Sequence, residues 1–316
     1  MSIMGKKKSK NTAQFSLSNK DGSIQKFIII ILLGLLIVFA LFGFLIVLLT
    51  DNPKNNNNTN TVDNEPTVIE EPVDENRMNN ELRVKWLSNK SINKDYVGEL
   101  SFDSGLVDVS FVQAKDVYDE NGNLYTFYTE DGAKVEDPTD YNGNDVYIWT
   151  NWKTGEYDRV NEGGSVFMDY RNELSDQNLI IYGHHFARDW DPKGDKQFTP
   201  LDKLLKEDDY AGNKYLQIVL DNEIRRYVVT NVYIISIYNS DDVQILRTNM
   251  SVDLYGEDDP DFFENYIDYI NESSRYTTSE TLKKDDKLLT LVTCIQHQPQ
   301  YRQITVCKEV ERIDYN

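Results

Sequence analysis

The chain has 316 residues, with 53 acidic and 33 basic side chains, so its formal net charge is −20. A protein this acidic repels phosphate backbones, which argues against general nucleic-acid binding. With 2 cysteines and 3 histidines, the chain cannot build a disulfide scaffold or a four-cysteine zinc site, and it has few side chains for thiol or imidazole chemistry.

The N-terminal segment combines a basic tail with a long apolar run. Residues 27–49 (FIIIILLGLLIVFALFGFLIVLL) contain no charged side chain. At a rise of ~1.5 Å per residue they would span roughly 34 Å as a helix, enough to cross a bilayer. Residues 1–26 carry six lysines against one aspartate, and the positive-inside rule places such a tail in the cytoplasm. The pattern predicts an uncleaved single-pass transmembrane anchor, with the rest of the chain outside the cell.

The remainder of the chain divides into a polar segment and a folded region. Residues 50–80 are rich in Asn, Asp, Glu, Pro and Thr, a composition with little to bury that predicts a flexible extracellular linker. Residues 81–316 are predicted to form one domain. Within it, residues 114–145 are acidic with Gly and Asn turns and are predicted to be a surface insertion that could hold an extra hairpin.

The folded region is predicted to consist mostly of strands. Leu216, Ile218 and Leu220 follow the alternation of a half-buried strand, and a turn at 221–223 leads into the β-rich run 224–237, which predicts a hairpin. About eight such segments joined by short turns predict a closed barrel or a sandwich. The other strand candidates are 106–112, 146–150, 165–168, 179–182, 288–293 and 303–310.

Two helices are predicted between the strands, a short one at 200–209 and a second at 260–272. In the second, an apolar stripe recurs at helical spacing. Packing of this stripe onto the sheet is the simpler interpretation, and a wall of a ligand groove is the alternative. The stripe consists of Phe262, Phe263, Tyr266, Ile267 and Ile270.

Two strand ends carry the candidate catalytic residues. The apolar run 178–181 leads into Tyr182-Gly183-His184, and a second apolar strand ends at Cys294, with Arg302 eight residues later. A cysteine thiolate can attack a peptide carbonyl. A histidine can protonate the departing amine and deprotonate an incoming one, and an arginine can stabilise the tetrahedral oxyanion. Together the three are sufficient for acyl transfer.

Other roles for these side chains stay open. Cys307 lies within a strand and is most simply a small buried hydrophobe, but it could form a disulfide with Cys294, which would disable that nucleophile. His297 follows Cys294 by three residues, and the pair could form a zinc site with His184 and His185.

At these residues the sequence resembles the sortases, Gram-positive transpeptidases that attach proteins to the cell wall. The family motif Thr-Leu-x-Thr-Cys corresponds to residues 290–294, the glycine–histidine pair to Gly183-His184, and the arginine on the next strand to Arg302. No second apolar run of membrane-spanning length follows the cysteine, which argues against the pilus-building class. Three further segments are similar to class B sortases, namely 93–98, 165–172 and 262–288.

The resemblance implies a closed eight-stranded β-barrel with peripheral helices, held at the cell membrane by one N-terminal transmembrane helix. It implies that Cys294 is the nucleophile, that His184 is the general acid and base, and that Arg302 stabilises the oxyanion. The substrate would be the C-terminal sorting signal of a secreted protein, of Asn-Pro-x-Thr type, cleaved after threonine. The acceptor would be an amine of peptidoglycan or of its lipid-linked precursor, and no metal or cofactor is required.

The sequence departs from the family pattern in the surroundings of the histidine, since no acidic residue closely follows Cys294 and no carboxylate partner for His184 can be assigned. Three alternatives are kept: an inactive sortase-like peptide-binding module, a pilin-polymerising sortase and a zinc-binding surface protein. Candidate substrate-binding residues, chosen by their position beside the motifs and on the helical stripe, are Tyr182, Val292, Thr293, Tyr266 and Ile267.

Overall fold

The computed structural model describes residues 75–238 and 262–315, which belong to one compact unit, Glu71–Asn316. Within the two described ranges, no helix has both the length and the apolar character needed to cross a bilayer. The predicted cytoplasmic tail, the predicted anchor at 27–49 and residues 50–74 of the predicted linker lie outside the described residues.

Eight strands form a closed barrel in the order β1-β2-β3-β4-β7-β8-β6-β5. Two neighbouring pairs, β2 with β3 and β4 with β7, are parallel, and the others are antiparallel. Closure satisfies the backbone groups that an open sheet would leave at its edges. The strands are β1 Tyr96–Phe102, β2 Asp108–Val112, β3 Val166–Met168, β4 Asn178–Tyr182, β5 Tyr215–Val219, β6 Glu223–Ser236, β7 Leu288–Ile295 and β8 Gln298–Asp314.

Helices and short 3₁₀ turns lie outside the barrel. The first helix, α1, occupies Glu75–Ile92, so residues 75–80 of the predicted linker are helical. Trp86 attaches this helix to the barrel, because its indole N–H donates to the carbonyl of Val97 at 2.8 Å and its ring meets Tyr96 edge-on. The remaining elements are α2 Glu207–Tyr210, α3 Phe262–Ser273 and the 3₁₀ turns Gly143–Asp145 and Thr199–Leu205.

The core is divided between the barrel interior and the face covered by α3. Alternate residues of the strands point inward and are fully buried, which is the arrangement that period-2 alternation predicts. The interior includes Leu100, Phe111, Ile181, Ile218, Val229 and Leu291. The second cluster joins Phe263, Tyr266, Ile267 and Ile270 of α3 to Ile180, Val292 and Ile304 of the sheet.

The prediction of a strand at 146–150 is wrong. This segment is part of a loop, and its carbonyls accept hydrogen bonds from later residues of the same connection: Ser165 N–H donates to Tyr147 at 3.0 Å, and Asp158 N–H donates to Trp149 at 3.0 Å. A run of β-branched and aromatic residues suits a pleated surface, but it cannot show whether a neighbouring strand is available to pair with it.

The eighth strand is β1, which the strand predictions omitted. Gly98 and Glu99 interrupt its apolar pattern, and both are low in strand propensity. The glycine is required by packing, since a Cβ at this position would collide with the carbonyl oxygen of Val219 on β5. Glu99 is accommodated by hydrogen bonds from Asn89 of α1 and Ser110 of β2, each at 3.0 Å.

The short helix predicted at 200–209 is two separate turns. The chain forms a 3₁₀ turn over Thr199–Leu205, becomes extended at Lys206 (φ −115°, ψ 129°), and then makes the single α-turn α2. The predicted apolar side is nevertheless buried through Leu201 and Leu204. For the predicted helix at 260–272, the described part is α3, whose residues 262–273 are helical.

The insertion at 114–145 is less exposed than its charge suggests. It contains two tight turns closed by the bridges Tyr118–Leu124 and Tyr128–Lys134, not one long hairpin. Apolar side chains from both turns are buried in a cluster that also includes Tyr96 of β1 and Trp152 of the following loop; the insertion contributes Ala114, Val117, Phe127 and Val135. The insertion is therefore packed against the barrel.

Candidate active site

The three candidate catalytic residues lie in one row across adjacent strands. In the parallel ladder of β4 and β7, Tyr182 is opposite Val292, so His184 and Cys294 each follow that pair by two residues. In the antiparallel ladder of β7 and β8, Cys294 is directly opposite Arg302. Because neighbouring strands are about 4.8 Å apart, this register brings the imidazole, the thiol and the guanidinium to one end of the barrel.

Two hydrogen bonds continue the contact between β4 and β7 beyond the ladder. The N–H of Gly183 donates to the carbonyl of Val292 at 3.1 Å, and the hydroxyl of Thr293 donates to the carbonyl of Gly183 at 2.8 Å. The residues immediately before His184 and Cys294 are thus joined to each other. This junction fixes the two backbones from which the candidate catalytic side chains project.

The guanidinium of Arg302 is held by its own strand. Its Nη1 donates to the carbonyls of Pro299 at 2.7 Å and Tyr301 at 3.0 Å. Its Nε and Nη2 have no hydrogen-bond partner among the described residues, so both can donate to a bound oxyanion. Cys294 is partly exposed beside it and carries a free thiol.

The backbone of His184 is fixed on both sides. Its N–H donates to Oε1 of Gln197 at 2.7 Å, and its carbonyl accepts from the N–H of Phe198 at 3.1 Å. Gln197 is nine-tenths buried and its amide nitrogen donates to the carbonyls of Glu162 and Gly163. The residue before the histidine has to be glycine, because a Cβ on Gly183 would lie 2.7 Å from the ring of Phe198.

The imidazole of His184 is supported by the loop that was predicted to be a strand. Its Nε2 lies 2.9 Å from the carbonyl oxygen of Ile148, and its ring stacks on Trp149 with 4.5 Å between centroids and 24° between planes. A carbonyl can only accept, so Nε2 carries the proton, and Nδ1 is the nitrogen that can exchange one. The partner that the sequence left unassigned is thus a backbone carbonyl.

Burial lowers the pKa of His184 below its ordinary value of 6.5. The hydrogen bond to Ile148 and the carboxylate of Glu130 act in the opposite direction, because both favour the protonated ring. The cations of Arg302 and Arg159 lower the pKa further. The net direction favours a neutral imidazole near pH 7, able to accept a proton.

A cavity of about 670 Å³ opens beside the row and includes Arg302 in its lining. Apolar side chains from four strands form much of its wall, and polar side chains of the 142–144 turn and of Tyr170 and Arg171 form one end. Such an apolar cleft with a few fixed polar groups is the usual form of a ligand site. The wall includes Phe167, Tyr182, Ile235, Ile237 and Val292.

Of the five candidate substrate-binding residues, Tyr182 and Val292 line this cavity. The other three are not part of this lining. Tyr266 and Ile267 are buried between α3 and the sheet, where the simpler packing interpretation of the stripe placed them. Thr293 is 2% exposed and its hydroxyl is engaged by Gly183, so it joins strands and does not face a ligand.

A buried carboxylate organises the polar end of the cavity. Asp169 is fully buried and accepts from Arg171 through Nε and Nη2, both at 3.0 Å. The hydroxyl of Tyr182 donates to the same carboxylate at 3.0 Å and the amide of Asn144 at 3.2 Å. Sequence reasoning did not identify this cluster, although the segment 165–172, which contains Asp169 and Arg171, was singled out.

The second cysteine cannot reach the first. Cys307 is opposite Leu289, five positions along the ladder from the pair Cys294–Arg302, a distance of about 17 Å along the strand. A disulfide requires Cα atoms within about 7 Å of each other. Burial raises the pKa of the Cys307 thiol well above its ordinary value, so this side chain is unreactive.

The remaining histidines have separate environments. The Nε2 of His185 is 2.9 Å from the carboxylate of Asp202, while His297 is exposed in the β7–β8 turn with a φ of 60°. Among the described residues, no three His, Cys, Asp or Glu side chains are grouped so that they could hold a metal ion. The zinc alternative therefore has no ligand set in this part of the chain.

Comparison with known proteins gives one family. The sequence profile of the Sortase domain matches residues 140–310. Sortase B of Listeria monocytogenes is 25% identical over 244 residues, which cover 76% of this chain and 79% of the relative. Among solved structures, Clostridium perfringens sortase B has a TM-score of 0.53 at 22% identity, covering 71% of this chain and 99% of that chain. A Staphylococcus aureus sortase B–substrate complex has a TM-score of 0.54 at 20% identity, covering 75% and 92%.

Proposed function

The chain belongs to the sortase family, whose members are cysteine transpeptidases, and from this premise we propose that it joins secreted proteins to the cell wall. It cleaves a C-terminal sorting signal after threonine and transfers the new carboxyl end to an amine of peptidoglycan or its lipid-linked precursor. The observation that carries the proposal is the row of His184, Cys294 and Arg302 across β4, β7 and β8.

The chemistry follows from what each group can do. Neutral His184 takes the proton of the Cys294 thiol, the resulting thiolate attacks the threonine carbonyl, and the free donors of Arg302 stabilise the oxyanion that forms. Protonated His184 gives its Nδ1 proton to the departing amine as the peptide bond breaks, which leaves a thioester on Cys294. The acceptor amine then attacks the thioester, neutral His184 takes its proton, and the thiolate is released.

The cavity beside the row has the features that a peptide substrate needs. An extended peptide can lay apolar side chains against Phe167, Ile235 and Val292 while its scissile carbonyl reaches Arg302 at the cavity rim. Desolvation of such side chains supplies binding energy, at about 25 cal/mol per Å² of apolar surface. Polar positions of the signal would meet Arg171 and Asn144 at the other end.

The predicted anchor at 27–49 places this chemistry outside the cell. The charge asymmetry supports the orientation, because the lysine-rich tail precedes the anchor and acidic residues predominate after it. Sorting signals and cell-wall amines both occur on that side. The proposal is therefore a single-pass protein of the cell membrane with an extracellular catalytic domain.

The test uses the full chain in mild detergent with a fluorogenic peptide of Asn-Pro-x-Thr type. We expect cleavage after threonine, a thioester adduct on Cys294 that mass spectrometry detects, and an amide product when a glycine-based amine is added. A chain that binds the peptide without ever cleaving it would instead be a sortase-like binding module. Cleavage with the acyl group on another residue would refute the assignment of Cys294.

A further inference from the structure

The tip of the insertion at 114–145 reaches the loops beside the candidate active site. Arg159 holds Glu130 twice, with Nη2 2.7 Å from Oε1 and Nη1 3.1 Å from the backbone carbonyl. Tyr157 adds a third bond, since its hydroxyl donates to the same carbonyl at 2.7 Å. The second turn of the insertion is thus tied to the loop that contains residues 157–159.

Arg159 continues this connection through aromatic rings. Its guanidinium carbon is 4.4 Å from the ring centre of Trp190 and 5.6 Å from that of Trp149. Its Nε is buried and has no hydrogen-bond partner among the described residues. A guanidinium near indole rings at these distances is attracted to their electron-rich faces.

Trp149 connects Arg159 to the imidazole of His184, because its ring stacks on the imidazole. A hydrogen bond from Nε2 to Ile148 fixes a direction within the plane of the ring, but it allows the ring to rotate about that bond. A flat partner on one face removes this remaining freedom. Both constraints come from neighbouring residues of one loop, so the position of that loop sets the orientation of His184.

We propose that Glu130, Arg159 and Trp149 form a support through which the insertion holds the imidazole of His184 in its working orientation. The three are positioning residues, since none belongs to the row that contacts the reacting atoms. The inference rests on the proposed function, because the orientation matters only if His184 transfers protons. Most of the insertion, residues 114–139, precedes the part of the chain that the sortase profile matches.

Charged groups around the ring provide an independent readout. The groups that act on His184 are the carboxylate of Glu130 and the cations of Arg159 and Arg302. Loss of the Glu130 carboxylate removes an anion that favours the protonated ring and leaves both cations. Glu130→Gln should therefore lower the pKa of His184, and a change in this titration would show that the tip of the insertion lies close enough to act on the ring.

The experiment measures kcat, KM and the histidine titration in the full chain in mild detergent. Glu130→Gln should lower kcat about three- to tenfold with KM within about twofold, and Trp149→Leu should lower kcat about tenfold or more. Added to Trp149→Leu, Glu130→Gln should have no further effect on kcat. Trp149→Phe, which keeps a flat ring, should retain most of the activity.

Glu120→Gln is the matched control, because it makes the same change in the same insertion at a carboxylate whose ion pair within the described residues is with Lys94 at 3.6 Å. It should leave kcat and the His184 titration unchanged. Unchanged kcat and titration in both Glu130→Gln and Trp149→Leu would overturn the support. The support would also be overturned if the effects of Glu130→Gln and Trp149→Leu on kcat multiplied in the double variant.

The titration also separates this proposal from the proposed function. With 3 histidines in the chain, selective ¹³C labelling gives three NMR titrations that single substitutions assign. A parent chain that cleaves no peptide contradicts the proposed function, while a shifted His184 titration in Glu130→Gln still supports the connection. An active parent in which Glu130→Gln and Trp149→Leu change neither kcat nor the His184 titration overturns the connection alone.

Discussion

Cys294 and Arg302 are directly opposite each other in the β7–β8 ladder, at the last regular pair before the register shifts between Cys294 and Ile295. The two-residue turn Gln296-His297 then connects β7 to β8. Because paired residues of an antiparallel ladder point to the same face, the thiol and the guanidinium are held beside each other by backbone geometry. When the thiol attacks a carbonyl, the oxyanion that forms on the carbonyl oxygen would therefore lie next to the guanidinium of Arg302.

The first prediction concerns the two cysteines. Cys294→Ala should abolish peptide cleavage and the thioester adduct, because Cys307 is buried about 17 Å away with a raised pKa. Cys307→Ala should keep the activity and lower the free energy of unfolding by about 1 kcal/mol through a small cavity. Fluorogenic peptide assays and denaturant titrations measure the two effects. An inactive but folded Cys307→Ala protein would contradict the assignment.

The second prediction concerns the pH dependence of His184. Its pKa in the folded chain is below 6.5 because of burial, so the unfolded chain binds more protons between the folded value and 6.5. The group therefore stabilises the fold above about pH 6.5, and this contribution is lost as the pH falls through the folded pKa. An NMR titration should find the pKa of His184 below 6.5.

The contribution of His184 to the pH dependence of the unfolding free energy can be isolated by comparison with His184→Asn, which lacks the titrating group. The unfolding free energy of the parent, relative to this variant, should fall as the pH drops below 6.5 and should be constant above it. Carboxylates that titrate in both chains cancel in the difference. A relative stability that rises on acidification would mean that the folded pKa is raised.

The third prediction tests why glycine precedes the histidine. Gly183→Ala places a methyl group against the buried ring of Phe198, and overpacking of this kind costs about 1–3 kcal/mol. Displacement of the backbone at this position should also lower kcat, since Gly183 is hydrogen-bonded to both Val292 and Thr293. Gly212→Ala is the control, because a Cβ there meets nothing within 4 Å. Equal thermal stability of the two variants would show that the site tolerates the methyl group.

The sequence predicted the parts of the fold that follow from apolar periodicity. The alternation at 216–220 and the apolar or β-rich runs of the other candidates predicted seven of the eight strands, because each buried strand must present its apolar residues to the core. β1 was missed because Gly98 and Glu99 are explained by contacts to Val219 of β5 and Ser110 of β2, and the pairing of these strands is not visible in the local pattern.

The surroundings of the histidine could not be predicted for a different reason. Ile148 supports His184 through its backbone carbonyl, a group that every residue carries, so no side-chain pattern marks it. The stack on Trp149 depends on the loop conformation of residues 146–150, whose residue types are equally compatible with a strand. Tyr266 and Ile267 have the correct spacing for a helix, but spacing alone does not show which surface that helix covers.

The last prediction concerns substrate recognition at the polar end of the cavity. Asp169 holds Arg171 through two hydrogen bonds and also accepts from Tyr182 and Asn144, and these three partners line the cavity. Asp169→Asn removes the charge without emptying the space. It should lower the free energy of unfolding by about 2 kcal/mol, because Arg171 loses a buried charged partner.

The same variant should raise KM for the peptide about threefold or more while kcat stays within about twofold, since the released Arg171 no longer has a fixed direction but the catalytic row is untouched. Glu309→Gln is the control, because it removes the carboxylate that Arg312 contacts with two nitrogens at a position outside the cavity lining. Steady-state kinetics on both variants decide the matter. If Asp169→Asn is folded and its KM equals that of Glu309→Gln, the polar end does not take part in binding the sorting signal.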